Sequence, residues 1–351
     1  MTESRDTLVL TMPDDWHVHF RNGDLMRAVV PHTATYFGRA LVMPNTNPAI
    51  KTAKDLVDYR NQIDAVLRLH PVKHFQPLFT IKLTGSTTRK TIREAAEVGC
   101  IAAKLYPIGA TTNSEDGVEF PNGILKLIED GVFEEMAINN MVLCIHGEDP
   151  RAEVLDREGE TIRYIQNILQ VPDIKIVVEH VTTTEMAAFV ANSDPNRVAA
   201  TVTAHHLYLT LDDLIGGMLQ PHYFCKPVVK PKINRESLWH YVANYSNFFF
   251  GSDSAPHTVQ HKENDCCAAG VFTAPILIPL LVQMFEDRGL LNYLDDFTSV
   301  RGANFYGLLV NNRKIILDRK TEPQEWFIPK VGGCKVMPLR DDDHLYWRVS
   351  A

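Results

Sequence analysis

Residues 141–182 carry the pattern that decides the fold. MVLCIHGE (141–148) is an apolar run that ends in His146, IKIVVEHVT (174–182) is another that ends in His180, and a stretch of helical spacing, Arg157–Leu169, lies between them. Short, almost continuously hydrophobic runs rich in β-branched residues read as parallel strands covered on both faces, and the intervening helix reads as their crossover. Further runs of this kind lie at Trp16–Phe20, Arg39–Met43, Phe75–Ile81, Ile101–Leu105, Val198–Val202 and Phe248–Phe250. Helix-like stretches alternate with them at Lys54–Leu69, Arg89–Val98, Gly123–Ile138 and Thr183–Ala191. Eight β-then-α units predict an α/β chain folded as a (β/α)8 TIM-type barrel. A doubly wound open sheet is the alternative, but no GxGxxG follows the first strand. The polar residues favour the barrel. His17 and His19, Asn45, Lys104, His146, His180, Thr203 with His206, and Asp253 all fall at strand ends, and barrel active sites gather at that rim.

The 351 residues are 45% hydrophobic and 22% charged, with a net charge of −8 and no basic cluster. This balance is that of a globular protein and speaks against nucleic acid as a partner. MTESRDTLVL has no signal-peptide character, and the longest apolar run, Val271–Phe285, is too short for a bilayer and holds Pro275 and Pro279. Six cysteines without CxxC or framework spacing predict free thiols in a reducing, cytoplasmic setting. No repeat or flexible linker divides the chain, so residues 1–351 read as one domain. From about residue 292 it carries a C-terminal helix, Asp295–Leu308, and a small extension of short strands, Asn311–Ala351.

His17-Val18-His19 places two imidazoles on one side of a strand, where they can share a divalent metal. His146, His180 and Asp253 on the same rim complete a set suited to hydrolytic zinc chemistry. Lys104 is the anomaly, since an ammonium beside metal ions is repelled. Either it pairs with a carboxylate, or it is neutral and has reacted with carbon dioxide to an anionic carbamate that can bridge two metals. Arg21, two residues beyond His19, can fork onto a carboxylate.

HVHFR (17–21), MPN (43–45), AAKLYP (102–107) with ATTNS (110–114), IHGE (145–148), EHVTT (179–183), TAHHL (203–207) and GSDSAPH (251–257) follow one another as in dihydroorotases. With SVRGANFYGL (299–308), the chain resembles the shorter, bacterial and fungal type of that family, within the amidohydrolase superfamily. The resemblance implies two zinc ions per subunit. His17, His19 and Asp253 would hold one and His146 and His180 the other, with N6-carboxylated Lys104 and a hydroxide as bridges. It implies reversible interconversion of N-carbamoyl-L-aspartate and L-dihydroorotate in pyrimidine synthesis, with Asp253 moving the proton. It assigns Arg21, Asn45 and His257 to the substrate carboxylate and Thr111 and Thr112 to a closing loop. Lys226 and Ala269 align with main-chain contacts to the ring, and Lys226 departs from the aliphatic residue of bacterial relatives, as His205 does from their Gln. A homodimer acting on a small molecule is the implied assembly. Two rivals are a hydantoinase or allantoinase, which would not need the carboxylate clamp, and a non-catalytic scaffold, which would not keep every ligand.

Overall fold

The structure, a computed structural model, describes residues 6–70, 72, 74–322, 327–339 and 345–350. Among them, eight parallel strands follow chain order around one sheet: β2 (Asp14–Val18), β3 (Arg39–Val42), β4 (Gln76–Leu83), β5 (Cys100–Leu105), β6 (Val142–His146), β7 (Ile176–Glu179), β8 (Val198–Val202) and β9 (Phe248–Phe250). They are preceded by β1 (Thr7–Thr11). The last strand returns to the first at the C-terminal rim. Asp253 donates its N–H to the His17 carbonyl at 2.8 Å, and His19 donates to that of Ser254 at 3.1 Å. Asp15 reinforces this seam by accepting from the Ser252 N–H and hydroxyl at 2.8 and 2.6 Å. Packing is tight at Gly251, where a Cβ would stand 3.0 Å from both the His17 and the Thr201 Cβ.

Every predicted barrel strand is present, with ends moved by at most two residues and Val198–Val202 and Phe248–Phe250 unchanged. The predicted helix 123–138 is two helices, Asn122–Glu129 and Val132–Ile138, broken at Gly131 in the left-handed region (φ 69°). The helices cover the barrel through one large apolar layer that includes Val18, Phe20, Phe248 and Phe250. Inside the barrel, Trp16, Leu41, Leu78, Ala102, Val142, Cys144, Val177, Ala199 and Phe249 form the floor. Burying each large side chain of this kind contributes about 1.5–3 kcal/mol.

Above that floor the same inward rows turn polar. Two residues after Ala102 comes Lys104, after Cys144 His146, after Val177 Glu179 and after Ala199 Thr201. On β2 simple alternation would send His17 outward once Trp16 is inside. The pairing with β3 shifts register between Asp15 and Val18, and this bulge turns His17 and His19 into the barrel along with Trp16.

The extension after the barrel holds β10 (Lys314–Arg319), the hairpin of β11 (Lys330–Val331) and β12 (Cys334–Lys335), and β13 (Trp347–Val349). Antiparallel pairing makes an outer sheet in the order β1-β10-β13, so the first described strand belongs to the last part of the chain. Among the described residues no helix is long and apolar enough to cross a membrane.

Candidate metal centre and substrate pocket

The polar ring converges as the sequence predicts. The Nε2 atoms of His17 and His19 face each other at 3.3 Å, and Asp253 Oδ1 lies 3.3 and 3.1 Å from them. Glu179 accepts from His17 Nδ1 at 2.7 Å and from the Thr201 hydroxyl at 2.6 Å, which fixes the ring with Nε2 directed at the cluster. On the opposite wall His146 Nδ1 faces His180 Nε2 at 3.1 Å, and Glu148 holds the other nitrogen of His146 at 2.8 Å. The His17 and His180 ring centroids are 5.2 Å apart, so the two pairs adjoin.

This donor set fits divalent metal. Burial pushes the His19 imidazole down to about 3 and that of His180 well below its usual range, so both are neutral and present lone pairs. Lys104 is fully buried, and its Nζ has no hydrogen-bond partner among the described residues. Burial lowers its pKa, against the pull of the Glu179 carboxylate. An unpartnered ammonium is costly there, whereas a neutral amine is the form that reacts with carbon dioxide.

Apart from Lys104 and His257, every predicted site residue lines one cavity, and His257 stands behind its wall against Arg21 and Ala269. Arg21 Nη2 lies 3.1 Å from His257 Nε2, and that nitrogen is also 3.0 Å from the Ala269 carbonyl. Burial and then the Arg21 charge push His257 down to about 2, so it is neutral beside the guanidinium. Asn45 donates to the Thr112 carbonyl at 2.8 Å, bringing the 108–116 loop down over the opening, while its Oδ1 stays buried and unpartnered. Lys226 and Ala269 lie in the same wall. Arg21, His180 and Asp253 all have left-handed backbones (φ 58°, 44° and 43°), strain that packed surroundings hold at the site itself.

His206, at the end of β8, is not in the cavity wall. Thr203 Oγ1 and the Pro227 carbonyl, at 2.9 and 3.0 Å, occupy both ring nitrogens, so it braces the segment that carries Lys226.

Sequence reasoning missed Glu179, Glu148 and Lys262. The two carboxylates stand inside the quoted motifs, EHVTT and IHGE, where an acid close to a candidate ligand histidine was a readable signal. Lys262 had none. Its ammonium is 2% exposed and gives all three protons to the carbonyls of Phe224, Ala268 and Gly270 at 2.8–2.9 Å. Burial lowers its pKa to about 8. It ties together the two segments that present Lys226 and Ala269. Lys262→Met, which orphans three carbonyls, is expected to raise KM about tenfold with kcat little changed and to lower the melting temperature by several degrees. Steady-state kinetics and a thermal melt check this, and an unchanged KM would remove Lys262 from the binding wall.

A parallel barrel whose rim gathers four imidazoles, a buried lysine and a carboxylate has the form of a metal-dependent hydrolase. The sequence model of the Amidohydrolase family matches residues 10–310. The dihydroorotase of Nitrosomonas europaea is 41% identical, with all of both chains covered. The mitochondrial dihydroorotase of Arabidopsis thaliana is 43% identical over 98% of this chain and 91% of its own. The crystal structure of dihydroorotase from Saccharomyces cerevisiae, in complex with 5-fluoroorotic acid, superposes with a TM-score of 0.89 at 31% identity, covering 99% of each chain. The chain belongs to the dihydroorotases of the amidohydrolase family, which are metal-dependent hydrolases of a cyclic amide bond.

Proposed function

We propose that the chain interconverts N-carbamoyl-L-aspartate and L-dihydroorotate at two zinc ions, one held by His17, His19 and Asp253 and the other by His146 and His180, with N6-carboxylated Lys104 between them. The cations supply Lewis acidity to the ring carbonyl and lower the pKa of water at the site. In ring opening, Asp253 takes the proton of the attacking water and returns it to the ring nitrogen as the C–N bond breaks. In ring closure, Asp253 takes a proton from the ureido nitrogen, which attacks the side-chain carboxyl carbon as water leaves. Glu179 and Glu148 keep His17 and His146 in the ligating orientation. Arg21, Asn45 and His257 hold the α-carboxylate, main-chain atoms at Lys226 and Ala269 contact the ring, and Thr111 and Thr112 close over it and exclude water.

The observation that carries this reading is the placement of the Arg21 guanidinium and the Asn45 amide in the same cavity as the imidazole cluster, with the neutral His257 imidazole 3.1 Å from Arg21. A hydantoinase-type substrate has no carboxylate to engage them. The test compares dihydroorotate with dihydrouracil, the same ring without the carboxylate. Wild type is expected to favour dihydroorotate strongly, and Arg21→Ala to raise its KM roughly 10–100-fold while leaving dihydrouracil turnover as it was. Equal losses on both substrates would overturn the clamp.

A cytoplasmic homodimer is the proposed form. Six free cysteines support the reducing compartment. The exposed Ile215, Met218 and Leu219 offer apolar surface of the kind dimers cover.

A further inference from the structure

The inward row of β4 reads Leu78, Thr80, Lys82, so Lys82 fills the place in the polar ring that other strands give to site residues. It pairs in register with Lys104 on β5. Its side chain is fully buried, yet it does not line the cavity, and its ammonium lies 5.7 Å from the ring centroid of Tyr106 in the cavity wall. Its ammonium is committed to the 108–116 loop instead. Nζ donates to the Asn113 carbonyl at 2.7 Å and to the Asp116 carboxylate. Lys51, from the loop after β3, grips the other oxygen of Asp116 at the surface.

The loop is built to be held at this point. Ser114, fully buried, donates to the Thr111 carbonyl and accepts the Thr111 N–H at 3.1 Å, which makes 111–114 one compact turn. At its base Gly117 passes so close to the Tyr106 carbonyl that a Cβ would stand 2.3 Å from it. Thr111 and Thr112 therefore have two fixings. Asn45 holds the Thr112 carbonyl from within the site, and Lys82 holds Asn113 and Asp116 from the neighbouring strand. Asn45 must also serve the substrate, whereas the hydrogen bonds of the Lys82 ammonium go to the loop alone.

We propose that Lys82 and Asp116 are positioning residues that fasten the 108–116 loop in its closed place, so that Thr111 and Thr112 stand over the substrate before it arrives. This rests on the dihydroorotase reading of the site. An ion pair with one fully buried partner is worth more than a solvated surface pair, because its loss strands the buried charge. Without the pair, the closed loop is a smaller fraction of the free enzyme, and apparent affinity falls in proportion to that fraction.

The test is Asp116→Asn, a change on a half-exposed loop residue that leaves the barrel intact. KM for dihydroorotate is expected to rise about tenfold with kcat altered less than about threefold, because bound substrate still draws the loop down. Amide exchange at Ile108–Thr111 in the ligand-free enzyme is expected to quicken by a similar factor, and Asp116→Glu to restore both. Unchanged exchange, a drop in kcat at constant KM, or no rescue by Glu would overturn the proposal. If wild type fails to turn over dihydroorotate the substrate reading falls, whereas the ligand-free exchange comparison still decides whether the ion pair holds the loop.

Discussion

Lys104→Ala is expected to lose metal and activity together. The amine sits at the bottom of the ring, fully buried and without a hydrogen-bond partner, beside Glu179, Cys144 and Asp253. As a carbamate it would bring two oxygens and a negative charge to the point where the two imidazole pairs adjoin. Alanine brings neither, and leaves a void. Bound zinc, read by elemental analysis of the purified protein, should fall from about two per chain toward zero, and kcat/KM by about a thousandfold or more. Short carboxylic acids with added zinc should restore part of the rate by occupying the void. Wild-type zinc content in the variant would show that the four imidazoles and Asp253 suffice, and would end the bridging role.

Asp253→Asn tests the proton transfer separately. The side chain keeps its shape, and an amide tolerates the left-handed backbone that the His17 carbonyl and the Ser252–Asp15 bonds impose. It cannot take up a proton. The expected loss in kcat is about 10²–10⁴-fold, with KM changed far less. Because Asp253 Oδ1 also faces His17 and His19, the zinc content of the variant has to be measured beside the rate. A rate loss with the metal retained assigns the proton to Asp253, and near-normal turnover would remove it from the mechanism.

Much of this architecture was legible because a parallel barrel imposes a simple rule on sequence: apolar runs for strands, with chemistry where each run stops. MVLCIH and IKIVVEH obey it, and their histidines face each other across neighbouring strands. What escaped the rule has physical causes. The run ending at Ile81 stopped one residue short of Lys82, because a lysine after an apolar run reads as the start of solvent. In space that lysine is enclosed by the loop it holds. The bulge that turns His17 and His19 inward together with Trp16 leaves no compositional trace, since it belongs to the pairing of two strands and not to either one. Gly131 split a helix whose periodicity ran on unbroken. Lys262 looked like any surface lysine in HKEND, and only the three carbonyls brought to it by distant segments make it interior.

The outer sheet sets a condition on how the chain reaches its final state. Thr7 pairs with Asp318, and the run of pairs continues to Thr11 with Lys314, so β1 leaves the ribosome some three hundred residues ahead of its partner. At ~5–20 residues per second that wait is roughly 15–60 s, during which β1 has no β10 to pair with. The barrel strands pair with their immediate successors as they emerge, so the sequence order of the sheet suits vectorial synthesis, whereas the N-terminal strand does not. The nascent chain thus carries an unpaired strand edge until residues 314–319 are made, and the arrival of β10 is what retires it as a site for chaperones or for mispairing.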